Sequence, residues 1–123
     1  MTAGARLSSE LRGDVVVVSV EGELDVFNAA EMTRLIESLV PTEAHGAVLD
    51  LSGLGFLDST AIRKLFALTS RLIERRQKVH LVTPHGSTVL RTLQLVEFAR
   101  AAPIHGSLEE ALAQLDNGAG EPG

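Results

Sequence analysis

The stretch that most constrains this chain is a run of valines. Val15, Val16, Val17 and Val18 stand together, and Val20 follows after one serine. β-Branched side chains favour extended backbone. An unbroken apolar run, with no polar alternation, marks a strand buried on both faces. Such a strand requires helices packed against its sheet. Residues 7–12 precede a Gly13-Asp14 turn signal, which predicts an antiparallel partner strand.

The rest of the chain alternates helix-like and strand-like segments. Asn28 reads as a helix N-cap, with Glu31 completing a capping box. Phe27 and Met32 fit a hydrophobic staple across that start. Met32, Leu35, Ile36 and Leu39 recur at helical spacing, and Pro41 ends the helix. Residues 47–51 read as a second buried strand, residues 52–58 as a glycine-containing loop, and residues 59–76 as a helix. Ile62, Leu65, Phe66, Leu72 and Ile73 form the stripe of that helix. A strand over 78–82 follows, then a short helix opened by Thr83-Pro84, a strand near 101–104, and a last helix capped by Ser107 and Glu110. Leu108, Ala111, Leu112 and Leu115 form the inner face of the last helix. Strands separated by helices of this length imply an α/β fold with a mixed, mostly parallel sheet of four to five strands covered by about four helices. Residues 1–115 form one domain, and the Gly-rich residues 116–123 are expected to be a flexible C-terminal tail.

Composition removes several function classes. The chain has no cysteine, which excludes disulfides, thiolate nucleophiles, iron–sulfur clusters and cysteine-based zinc sites. Trp and Tyr are absent, and four Phe cannot build a stacking platform for single-stranded nucleic acid. A net charge of −5 argues against a phosphate-backbone binder. The charge is uneven: residues 1–58 carry ten acids against three bases, and residues 59–123 six acids against eight bases. The bases Arg63, Lys64, Arg71, Arg75, Arg76 and Lys78 read as a solvated helix surface with favourable charge toward its C-terminal end. The first ten residues contain no apolar signal region, and no apolar run nears the ~18 residues of a membrane span. A cytoplasmic protein without membrane attachment is expected.

No enzyme motif emerges. His45, His80, His85 and His105 lack metal-ligand spacing, so no metal site and no cofactor are expected. Gly53-x-Gly55 follows a strand but has no third glycine or ribose-binding acid, and neither a Gly-Lys-Ser/Thr loop nor a G-x-S-x-G elbow occurs.

What remains is the segment 49–62, LDLSGLGFLDSTAI, read as strand, glycine loop, then Asp58-Ser59-Thr60 entering a helix. A helix start offers unpaired N–H groups and a positive dipole end. A hydroxyl there either caps the helix or carries a regulated phosphate, which that terminus would hold well.

Residues 54–65, LGFLDSTAIRKL, resemble the signature of STAS-domain proteins, and specifically of bacterial anti-sigma factor antagonists. Glu21-Gly22-Glu23-Leu24-Asp25 is similar to the Gly-Glu-Leu-Asp motif of that family, and residues 48–51, 79–84 and 90–95 agree in order and spacing. The resemblance covers roughly residues 7–115. It implies a STAS fold without intrinsic catalysis. It implies binding to an anti-sigma factor that is also a serine kinase of the histidine-kinase-like ATPase fold, which frees a sigma factor. Phosphorylation of a serine at the helix start breaks that complex, and a serine/threonine protein phosphatase restores it.

By motif position Ser59 is the phosphoacceptor, with Thr60 the alternative. Asp25, Asp58, Ser59, Thr60 and Ala61 would form the partner-binding surface. Ala61 replaces the glycine common in the family, adding a methyl where a kinase loop would approach. The resemblance also admits a second role, as an accessory or scaffold subunit of a transporter or stressosome-type complex without phosphoswitching.

Overall fold

The computed structural model describes residues 4–120, with side chains through 116. Among these, the chain runs β1 (Ala5–Arg12), β2 (Val15–Leu24), α1 (Ala29–Leu39), β3 (Gly46–Leu57), α2 (Ser59–Glu74), β4 (Lys78–Val82) and α3 (Thr88–Leu95). A short 3₁₀ turn (Phe98–Arg100), β5 (Ile104–His105) and α4 (Leu108–Gly120) complete it. The sheet has the order β1-β2-β3-β4-β5. β1 is antiparallel to β2 and the other pairs are parallel. The α/β class, the mixed sheet and the helix complement all match expectation.

Sequential parallel order has a physical consequence. Each β–α–β crossover steps to the next strand in the same direction, and right-handed crossovers put their helices on one face. The larger core lies on that face, where Val16, Val18, Val20, Leu49, Leu51 and Leu81 meet Ile36, Leu65, Leu68 and Leu72. α4 packs on the other face against Val15, Val17, Val48 and Val82 through Ala111 and Leu115. The valine run is therefore buried on both sides, as its lack of alternation predicts.

Several boundaries differ from expectation. Residues 52–57 are strand, not loop. They pair with the second half of β2, at Glu21↔Gly53, Gly22↔Leu54, Glu23↔Phe56 and Leu24↔Leu57, across two register shifts. The glycines mark close approach in an irregular ladder rather than a loop. A Cβ at Gly53 would sit 2.8 Å from Glu21 Cγ, and one at Gly22, which has φ +100°, would run into Gly4 O.

α3 begins at Ser87, whose Oγ accepts the Leu90 N–H at 3.0 Å. It does not begin at Thr83, because the Thr83 N–H donates to His105 O at 2.9 Å and so belongs to the sheet edge. The last strand is shifted to Ile104–His105, since residues 98–100 wind into the 3₁₀ turn that buries Phe98 against Phe66, ring centroids 4.3 Å apart.

α2 stops at Glu74 and Arg76 turns left-handed at φ 63°. Ser107 caps α4 through Glu110 N–H at 3.2 Å; its hydroxyl meets Glu110 Oε1 at 3.4 Å in place of the reach back to backbone. α4 runs to Gly120, into the stretch expected as a tail, and residues 121–123 of that tail lie outside the described residues.

Candidate functional site

Parallel neighbours end on the same side of a sheet, and in open α/β sheets that carboxyl end is where loops converge. β2 and β3 are adjacent and parallel, ending at Leu24↔Leu57. The residues that follow, 25–28 and 58–60, are therefore brought together, each leading into a helix N-terminus.

Asp58 joins the two loops. Its backbone is extended, with φ −99° and ψ −177°, as an N-cap requires. Oδ1 accepts the Ala61 N–H at 2.9 Å, capping α2. Oδ2 accepts the Val26 N–H at 2.8 Å, tying the β2–α1 loop to α2. Asp25 organises the loop from the other side. Its Oδ1 accepts the Phe27 N–H at 2.9 Å, and its carbonyl accepts the N–H of Asn28 and Ala29 at 3.2 and 2.8 Å.

Asn28 does not act as the expected cap. It is buried, and Oδ1 accepts the Asp25 N–H while Nδ2 donates to Glu23 O, both at 2.9 Å. Its side chain turns back to bind the strand end, so α1 starts without a side-chain cap bond. The expected staple is absent as well, because Phe27 is 92% exposed while Met32 is in the core.

Ser59 occupies the first position of α2 and is exposed. Thr60 is half-buried, and its Oγ1 accepts from Arg63 Nη2 at 3.4 Å. Ser59 is thus the more accessible hydroxyl. Ala61 needs correction as a surface residue: it is 0% exposed, and its methyl points into the main core. The methyl added in place of glycine presents nothing to an approaching protein, and Ala61 serves the site through its N–H alone.

Among the described residues no group of three or more metal-ligating side chains comes together. Sequence reasoning did not bring His80 and His105 together. Their ring centroids lie 5.0 Å apart in nearly parallel planes, edge to edge, with Nδ1 of His80 2.8 Å from Nε2 of His105. Their separation of 25 residues hides the pair, and only the register of β4 against β5 reveals it. Burial, then the His105 ring, then Lys78, push His80 down from 6.5 to about 4.

The sheet order, the helices on its two faces, and the two loops latched by Asp58 define a small α/β protein with a loop surface at the carboxyl end of its sheet. Residues 6–111 match the family model described as the STAS domain, and the chain belongs to that family. It is 31% identical over 104 residues to the anti-sigma-F factor antagonist RsfB of Mycobacterium tuberculosis, an alignment covering 85% of this chain and 84% of RsfB. The crystal structure of an anti-sigma factor antagonist from Mycobacterium paratuberculosis superposes with a TM-score of 0.81 at 26% identity, over 94% of this chain and 99% of that one. A sulfate transporter family protein from Wolinella succinogenes shares the fold, with a TM-score of 0.73 at 14% identity, over 87% and 88% of the two chains. No described helix is long and apolar enough to cross a membrane.

Proposed function

We propose that this chain is an anti-sigma factor antagonist switched by phosphorylation at Ser59. It binds an anti-sigma factor that is also a serine kinase with a histidine-kinase-like ATPase fold, and so releases a sigma factor. The observation that carries this reading is an exposed serine at the first turn of α2, directly after the carboxylate that ties both loops together. The similarity to RsfB and to the Mycobacterium paratuberculosis protein supports it.

The switch follows from charge. Ser59 Oγ takes the γ-phosphoryl group of ATP, ADP leaves, and the hydroxyl proton passes to solvent. The product carries about −1.5 to −2 charges beside Asp58 and opposite the nucleotide phosphates of the kinase. Burying that dianion in a complex is costly, while the α2 N-terminus stabilises it on the free protein. A loss of about 2.8 kcal/mol corresponds to a hundredfold weaker complex. Release is electrostatic and steric, with the fold unchanged. A serine/threonine protein phosphatase would reset the switch.

The test is capture of partners from lysate of the source organism, with and without ATP, followed by mass spectrometry of partners and bait. An anti-sigma factor should be held without ATP and lost as Ser59 gains phosphate. With the purified partner, Ser59→Ala should bind as the wild type and Ser59→Glu at least tenfold more weakly. Equal binding by all three, or a stable complex with a transporter or scaffold and unmodified Ser59, would overturn the reading.

A further inference from the structure

Among the described residues Phe27 is the most exposed of the large apolar side chains, at 92%, and Val26 beside it is 59% exposed. Such a pair on a frayed segment would mean little, but this backbone is held. Val26 N–H is fixed by Asp58 Oδ2, Phe27 N–H by Asp25 Oδ1, and the next two N–H groups by Asp25 O. The main chain is ordered on both sides while the phenyl ring stands in water. A phenyl ring on a rigid backbone loses little freedom when it docks, which is what a binding anchor needs.

The stretch that carries the ring has charges of one sign. Residues 13–33 contain no Lys or Arg. Glu23 and Asp25 precede the anchor, and exposed Glu31 follows it on the first turn of α1.

Resting on the anti-sigma reading above, we propose that Phe27, with Val26 beside it, is the hydrophobic anchor of the complex, seated in an apolar socket of the anti-sigma factor rimmed by basic side chains. Charge selects this occupant over a second copy of the chain, which would set acids against acids. Val26 is bonded to Asp58, the residue before Ser59, so the anchor and the phosphoacceptor engage the same partner face. The anchor supplies affinity independent of phosphate, and Ser59 supplies the switch.

The experiment uses the purified anti-sigma factor identified by the capture described above. Its affinity is measured for the wild type, Phe27→Ala, Phe27→Leu, Val26→Ala and Ser59→Glu, alongside thermal midpoints. Phe27→Ala should bind at least thirtyfold more weakly. Phe27→Leu should be intermediate and Val26→Ala a few-fold weaker, all with unchanged midpoints because these side chains face solvent. Phe27→Ala binding within threefold of wild type, while Ser59→Glu is weakened, would overturn the anchor and leave the anti-sigma reading standing. A wild type that binds no anti-sigma factor would overturn both. A wild-type dimer that Phe27→Ala converts to monomer would assign the ring to self-association and overturn the proposal.

Discussion

Asp58 uses both carboxylate oxygens, one for each loop of the site. This makes it a structural residue as well as a neighbour of the phosphoacceptor. Removing the side chain takes the cap from α2, which costs about 1 kcal/mol. It also leaves the Val26 N–H without its acceptor, worth about 0.5–1.5 kcal/mol. Asp58→Ala should therefore lower stability by about 2 kcal/mol in urea unfolding. Asp58→Asn keeps one carbonyl oxygen but turns an NH₂ group toward the other N–H donor, so it should lose about half as much. Equal stability of Asp58→Ala and wild type would show that the latch holds nothing. The contrast with Asn28 is instructive. Both residues stand just before a helix, yet Asn28 spends its amide on Glu23 O and the Asp25 N–H rather than on α1.

At the scale of elements, the end of α2 carries a conflict between residue and backbone. Arg76 adopts φ 63°, a left-handed turn that glycine reaches without strain. The turn is needed because the next residue, Gln77, must enter the interior. There its amide donates to Pro41 O at 2.7 Å and Ala44 O at 3.0 Å, binding the α1–β3 connection. Left-handed backbone costs a side-chain-bearing residue about 1 kcal/mol, and the greater freedom of glycine in the unfolded chain returns part of that. Arg76→Gly should raise stability by about 0.5 kcal/mol, read as a small increase in the urea midpoint; a decrease would show that Arg76 makes contacts worth more than its strain. Elements of this kind were legible in the sequence wherever the signal was local. The valine run, most of each helix stripe and the Gly13 turn, at φ 65°, needed no partner to be read, though Leu39 and Ile73, assigned to the stripes, are 36% and 47% exposed. Features set by pairing were not. Gly53 and Gly55 look like a loop until β2 is laid beside them, and Thr83 looks like a cap until β5 claims its N–H. The site divides in the same way. Asp25, Asp58 and Ser59 were visible as a motif. The outward ring of Phe27 and the buried methyl of Ala61 depended on how the two loops latch.

At the scale of the whole molecule, one end of the sheet carries the loop site, while its last-strand edge is closed by only two residues of β5. The His80–His105 contact fastens that edge: the rings lie edge to edge in nearly parallel planes, and one ring nitrogen donates to the other at 2.8 Å. The folded chain keeps His80 neutral down to about pH 4, whereas its ordinary value is 6.5. A base whose folded value is depressed gives the unfolded chain the extra proton between those two values. Its contribution to stability is therefore intact above pH 6.5, falls as pH drops from 6.5 toward 4, and does not change further below that. Solvent around the half-exposed ring moderates the size of the loss. The thermal midpoint should decline between pH 7 and pH 5, and His80→Phe, which keeps a flat ring at the site but cannot take a proton, should flatten that decline. Parallel profiles for the two proteins would assign the acid sensitivity to other groups. Binding supplies the complementary control. The His pair packs at the β4–β5 edge and the Asp58 latch at the ends of β2 and β3, so His80→Phe should leave affinity for the anti-sigma factor unchanged at pH 7.5 while Phe27→Ala abolishes most of it.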